Sequence, residues 1–233
     1  MKISHPLMRH FVVLLLALSL VYLFLIVHAR WAPVHRWNRA FADASLVLLA
    51  VTMMIGPAVR LRNAWSRIVP WRRTFGIHAL LLGVVHFLLI LDGWIEWNIP
   101  RLFGLLVHPL HGGLVMVEHG FGLANVLGLV ALMYGAILLI TSNDRAITLI
   151  GGSVWKFIQS GAYIFWVLVL VHTAYFLFMH FLHFDRPLPD PNPLQWPFVG
   201  LVLAVVTLRA AATIRTWRIR RKDSLYAPSK NRA

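Results

Sequence analysis

The chain contains no cysteine, which excludes disulfides, iron–sulfur clusters, thiolate zinc sites and the CxxCH attachment of a c-type haem. Charge is scarce: 13% of its 233 residues are Asp, Glu, Lys or Arg, about half the ~25% of an ordinary soluble domain. Acids are scarcest, eight against 22 bases. No Gly-rich dinucleotide fingerprint follows a strand pattern, and no repeat period, low-complexity tract or soluble linker is visible. A water-soluble globule is thereby excluded.

What the chain has is apolar length. Hydrophobic residues make up 59% of it and its mean hydropathy is +0.72. Six runs nearly free of charge stand out: Phe11 to Val27, Ala44 to Val59, Phe75 to Leu91, Phe121 to Ile140, Val154 to Phe181 and Phe198 to Ile214. Each approaches or exceeds the ~20 residues that carry an α-helix across ~30 Å of hydrocarbon. The expectation is an all-α integral membrane bundle of six transmembrane helices, one membrane domain over 1–233 with a basic tail over 215–233. The first run follows Lys2 and Arg9 like a signal peptide but lacks a small-x-small cleavage site before His28, so it reads as an uncleaved first helix. The stretch Gly104 to Val117 is broken by Pro109, Gly112 and Gly113, and reads as a re-entrant or interfacial segment.

The net charge of +14 does not point to nucleic acid, because the bases sit beside the apolar runs instead of forming a face of their own. They describe orientation. With the N-terminus cytoplasmic, 17 bases fall on the inner side and five (Arg30, Arg36, Arg39, Arg101 and Arg186) on the outer. Positive-inside bias therefore predicts both termini cytoplasmic in the inner (plasma) membrane, with Trp94 to Pro100 and Asp185 to Pro193 outside. Nine of the ten tryptophans lie near predicted interfaces, and Trp166 alone sits mid-helix.

With no thiolate present, the 12 histidines are the ligand stock. Ionisable groups inside a span are costly and mark function. His78 and His86 lie on the third helix, His172 and His180 on the fifth, and these two helices run in the same direction. The stretch from Arg73 to His86 is nearly as long as the stretch from Lys156 to His172, so at ~1.5 Å per residue their depths agree within about a helical turn. Neutral imidazoles on facing helices hold haem iron from both sides, which makes His86 and His172 the candidate metal ligands. His78 is roughly 12 Å shallower and about 80° round the helix. Outside the spans, His108, His111, Glu118 and His119 are a weak candidate for zinc, copper or a ferric substrate. Asp185, Arg186 and Asp190 read as a solvated outer loop.

Several of these residues carry a resemblance. Trp71-Arg72-Arg73-Thr74-Phe75-Gly76 followed by His86, then Leu139-Ile140-Thr141-Ser142-Asn143-Asp144, then Trp155-Lys156 with Tyr163 and His172, resembles the ferric reductase-like transmembrane domain family over 43–180. The pattern is similar to the small haem-binding membrane subunit of the periplasmic methionine sulfoxide reductase system. The resemblance implies a b-type cytochrome with His86 and His172 as axial ligands, passing electrons from a cytoplasmic donor to an outer-face acceptor. Many members carry a second histidine several turns before the ligand on helix five; here the matching position is Gln159, and its counterpart on helix three is Arg73. One haem b is therefore expected instead of two.

Ferric reductases and NADPH oxidases of this superfamily continue into a long flavin and nicotinamide domain, whereas only a short tail follows Lys222 here. The expected donor is a separate flavoprotein reductase, a quinone, or a flavin (FMN or FAD) held in the inner half near Arg73, His78, Trp155 and Gln159. A periplasmic reductase is the expected acceptor. The alternative, from another functional class, is a haem-free transporter or assembly factor whose intramembrane histidines form a proton relay or metal site.

Overall fold

A computed structural model of the chain describes residues 5–180 and 192–226. The predicted outer-loop residues Asp185, Arg186 and Asp190, and positions 227–233 of the basic tail, lie outside the described residues. Among the described residues, six helices are long and apolar enough to cross a membrane. The main elements are α1 (His5–Val27), α2 (Pro33–Leu61), α3 (Val69–Gly93), the short α4 (Ile99–Leu102), strands β1 (Leu105–Val107) and β2 (Leu114–Met116), α5 (His119–Ile140), α6 (Asp144–Ile150), α7 (Gly152–Ser160), α8 (Ala162–Ala174) and α9 (Gln195–Tyr226). A 3₁₀ segment, Asn63–Ile68, links α2 to α3, and a π-helical turn, Tyr175–Met179, extends α8.

The centre of the bundle is α2. Over its most apolar window 56% of residues are buried inside the protein, against 11–33% in the other spans. It packs against α1, α3 and α9, while α5 packs against α8. The outer faces of the remaining helices carry Phe11, Leu14, Leu81, Met133 and Val167 in the open, as helices bathed in lipid do. The main core gathers Leu46, Leu48, Leu49, Met53, Leu80, Phe165 and Trp166, so the one mid-helix tryptophan is a core residue.

Three details depart from the expected helices, each for a physical reason. First, α2 begins at Pro33, well ahead of the apolar run that opens at Ala44, because Asn38, Arg39 and Asp43 turn into the bundle instead of lying in an outer loop. Second, Gly104 to Val117, the stretch read as re-entrant or interfacial, forms an antiparallel hairpin, Leu105 opposite Met116 and Val107 opposite Leu114. Its neck is closed by Val117 and Glu118 N–H groups donating to the Gly104 carbonyl at 3.0 and 3.2 Å. Gly104 has φ +78° there, and a Cβ would collide with the Glu118 carbonyl oxygen, so only glycine fits. Third, the run Val154 to Phe181 is divided at Gly161 into α7 and α8 and then passes into the π turn.

Candidate functional site

Two of the predicted residues meet at the middle of the bundle. His86 on α3 and His172 on α8 have ring centroids 6.3 Å apart with planes at 81°. Each ring is held from behind by a backbone carbonyl. His86 Nδ1 donates to the Asn38 carbonyl of α2 at 3.1 Å, and His172 Nδ1 donates to the Ala124 carbonyl of α5 at 2.7 Å. A carbonyl can only accept, so both protons sit on Nδ1 and both Nε2 atoms keep a free lone pair. This is the tautomer that metal-ligating histidines adopt, with the outer carbonyl fixing ring orientation and raising ligand basicity.

The spacing fits one iron between the rings. With metal–nitrogen bonds of about 2 Å and about 1.1 Å from ring centre to nitrogen, two opposed imidazoles should have centroids roughly 6.2 Å apart. The observed separation is 6.3 Å. Around them lies a cavity with about 1350 Å³ free of protein atoms, open space at its mouth included, walled mostly by apolar residues such as Leu80, Phe87, Leu132, Phe165 and Val169. Gly128 of α5 makes room for the pair: a Cβ there would lie 2.9 Å from His172 Cε1 and Nδ1. The donor set, the tautomers and the glycine cradle all fit a bis-histidine haem.

A second cavity opens toward the end of the bundle that carries Arg60 and Arg215. It has about 1950 Å³ free of atoms, open space included, and its wall holds Arg9, His10, Arg72, Arg73 and Lys156 together with Trp155, Gln159 and Tyr163. The predicted partners Arg73, Trp155 and Gln159 thus share one cavity. Arg73 is paired with Asp144 at 2.9 Å. Gln159 donates to Thr141 Oγ1 at 2.9 Å and to the Leu138 carbonyl at 3.3 Å, which ties its amide to α5. Leu80 and Phe165 line both cavities, so side chains common to both walls divide them.

The remaining histidines go elsewhere. His78 is not among the residues lining either cavity; it is 9% exposed and meets His10 Nδ1 through its Nε2 at 3.4 Å. His108 and His111 stack face to face, 3.8 Å apart and 6° from parallel, and the Leu110 N–H donates to His108 Nδ1 at 3.2 Å. Parallel stacked rings do not aim their lone pairs at one point. No group of three or more His, Cys, Asp or Glu able to hold a metal exists among the described residues.

His180 is the instructive case. Eight residues after His172 on a regular helix it would point about 80° away. The π turn between them inserts one residue, marked by the His180 N–H bonding to the Tyr175 carbonyl at 2.9 Å, so eight residues count as seven. Seven α-helical residues return to within about 20° of the same face. His180 accordingly follows His172 along one stripe, packed against Phe176, Phe121 and Trp94 with centroids 5.3, 5.8 and 6.4 Å away.

Sequence reasoning missed Asn38, Arg39, the His28–Asp43 pair and Gly128. The first four read as loop because the apolar run starts at Ala44, although Arg39 and Asp43 stand at the i, i+4 spacing of a helix. Gly128 is one of four glycines in α5, and nothing in the sequence set it apart from the others. Comparison of the chain with family models, with curated proteins and with solved structures finds no match.

Proposed function

We propose that this chain is a haem b membrane protein of the ferric reductase-like type, an electron-transfer subunit of a membrane oxidoreductase that carries electrons from a cytoplasmic donor to an acceptor on the outer face. The observation that carries this reading is the His86–His172 pair: two imidazoles with lone pairs on Nε2, spaced for one iron in a largely apolar cavity. A bound haem supplies a one-electron relay between +2 and +3 iron. The protein's share is to fix both ligands through the Asn38 and Ala124 carbonyls and to keep water from the ring with Leu80, Phe87 and Phe165.

The donor side of this reading is the second cavity. Arg9, Arg72, Arg73 and Lys156 suit a phosphate or other anion, and Trp155 and Tyr163 offer aromatic faces to a flat ring. FMN, FAD or a quinone headgroup there would be separated from the His86–His172 site by the shared Leu80 and Phe165. From Arg73 to His86 is ~20 Å of helix, so an electron from the inner boundary needs such a stop. Positive-inside bias turns this basic end toward the cytoplasm, where a separate flavoprotein reductase would reach it. The opposite end would face a periplasmic reductase across the inner membrane.

The test is spectroscopic. Purified protein should show a Soret band that shifts on dithionite, lost or severely weakened in His86→Ala and His172→Ala. A colourless wild-type protein after expression with ample haem refutes the reading and favours the haem-free alternative.

A further inference from the structure

The His86–His172 cavity is lined mostly by apolar residues, and its charged lining residues are gathered at one end. There the residue just after α1 and the first turns of α2 bring together His28, Asn38, Arg39 and Asp43, all on its wall. Two of these satisfy each other: His28 Nε2 and Asp43 Oδ2 are 2.6 Å apart, with His28 3% exposed. Asp43 also stands close enough to Arg39 for its charge to act on the guanidinium, yet Arg39 and Asn38 each keep one unmet bond. Arg39 has a buried Nε with no hydrogen-bond partner, and Asn38 has a buried, unpartnered Oδ1, in a residue only 7% exposed. The guanidinium carbon of Arg39 lies 4.0 Å from the centre of the Trp31 ring, which holds its plane without using its donors.

Buried polar atoms of a native protein almost always have partners, and an orphan pair facing one cavity calls for a group from outside the chain. The chemistry on offer is a guanidinium donor beside an amide whose oxygen and nitrogen interchange by a half-turn. With the amide turned so that its Nδ2 takes the place of Oδ1, the pair presents two donors, which suits a carboxylate attached to a flat apolar body. The bases at the other end do not compete for it, because Arg72 and Arg73 belong to the second cavity and Arg73 already faces Asp144.

We propose that Arg39, with the Asn38 amide beside it, is the anchor for a propionate of the haem held by His86 and His172, so that the carboxylate edge of the ring points away from the basic Arg60–Arg215 end of the bundle. This assignment rests on the haem reading above. It also gives Asn38 two tasks, its backbone carbonyl orienting His86 and its side chain meeting the ring's edge.

A positive charge beside the haem favours the reduced state, so its loss lowers the reduction potential. The experiment measures that potential and haem retention in the purified full chain. Arg39→Gln should lower the potential by about 59 mV, a tenfold change in a one-electron equilibrium, and should weaken haem retention about tenfold, while Arg39→Lys keeps most of both. Reconstitution of the wild-type protein with haem dimethyl ester, which removes the carboxylate charges and leaves the protein intact, should weaken haem retention similarly while raising the potential, because losing negative charge beside the iron favours the reduced state. In Arg39→Gln the ester should cost no further retention, since the two changes remove one interaction. Equal and additive losses of retention on esterification in wild type and Arg39→Gln, or a potential that responds to Arg73→Gln and not to Arg39→Gln, overturn the assignment. A wild-type protein that binds no haem overturns the underlying reading together with it, whereas a haem-bearing Arg39→Gln with unchanged potential overturns the assignment alone.

Discussion

Gly128→Ala separates the ligand pocket from the fold. A Cβ at Gly128 would stand 2.9 Å from His172 Cε1 and Nδ1, and ordinary contact begins near 3.4 Å. The ring must therefore retreat by about half an ångström, against a hydrogen bond to the Ala124 carbonyl that is 2.7 Å long. Stretching that bond toward its limit forfeits much of its ~0.5–1.5 kcal/mol, and twisting the imidazole off its rotamer costs of order 0.5–1.5 kcal/mol more. The sum, roughly 1–3 kcal/mol, corresponds to a hold on the haem weaker by roughly 5- to 150-fold, overlapping the losses of about 10–100-fold seen when a group that orients a metal ligand is disturbed. The helix itself should gain, since alanine is better than glycine inside a helix by ~0.5–1 kcal/mol. The expected result is unchanged helical circular dichroism and yield, with haem-to-protein ratio and haem off-rate both impaired. Gly200→Ala, where a Cβ meets nothing within 4 Å, is the matched control. A Gly128→Ala protein with wild-type haem affinity and an unaltered low-spin spectrum would refute the carbonyl-and-cradle reasoning.

Other outcomes follow from the same geometry. His180→Ala should keep the low-spin Soret spectrum, because Phe176 stands between His180 and His172; loss of that spectrum would mean that His180 is a ligand. The two ligand planes stand at 81°, and perpendicular imidazoles leave the iron orbitals that share the ferric hole nearly degenerate, so the oxidised protein should give a strongly anisotropic low-spin EPR signal. A rhombic signal would show that the rings rotate when the ring system binds. Reporter fusions ending at Asp185 should behave as periplasmic and fusions at Lys222 as cytoplasmic; the reverse would overturn the orientation. Haem reduction by NADH should require added flavoprotein or bound flavin and slow several-fold in Arg73→Gln, and equal rates without any flavin would remove the second cavity from the electron path.

Much of this was legible in the sequence because a bilayer leaves few options. With no water in the hydrocarbon, backbone groups must be bonded within helices, so six long apolar runs dictate six helices regardless of their packing. Helical rise alone matched His86 to His172 in depth, since the chain lengths from the basic anchors Arg73 and Lys156 convert directly to distance along the axis. The resemblance matched Arg73 to Gln159, and they share a cavity. Rise does not, however, reveal rotation or partners. The π turn that carries His180 onto the stripe of His172, the parallel stacking of His108 on His111, and the pairing of His78 with His10 all depend on local backbone choices and on neighbouring helices far away in the chain. The carbonyls of Asn38 and Ala124 were also invisible, because each is a backbone atom 48 residues from the histidine it orients. Composition and periodicity thus determined the class, the spans and the level of the candidate ligands. Only the tertiary packing of α2 and α5 against α3 and α8 decided which nitrogen of each ring keeps its lone pair, how far apart the rings stand, and that Arg39 and Asn38 face the same cavity with bonds unmet.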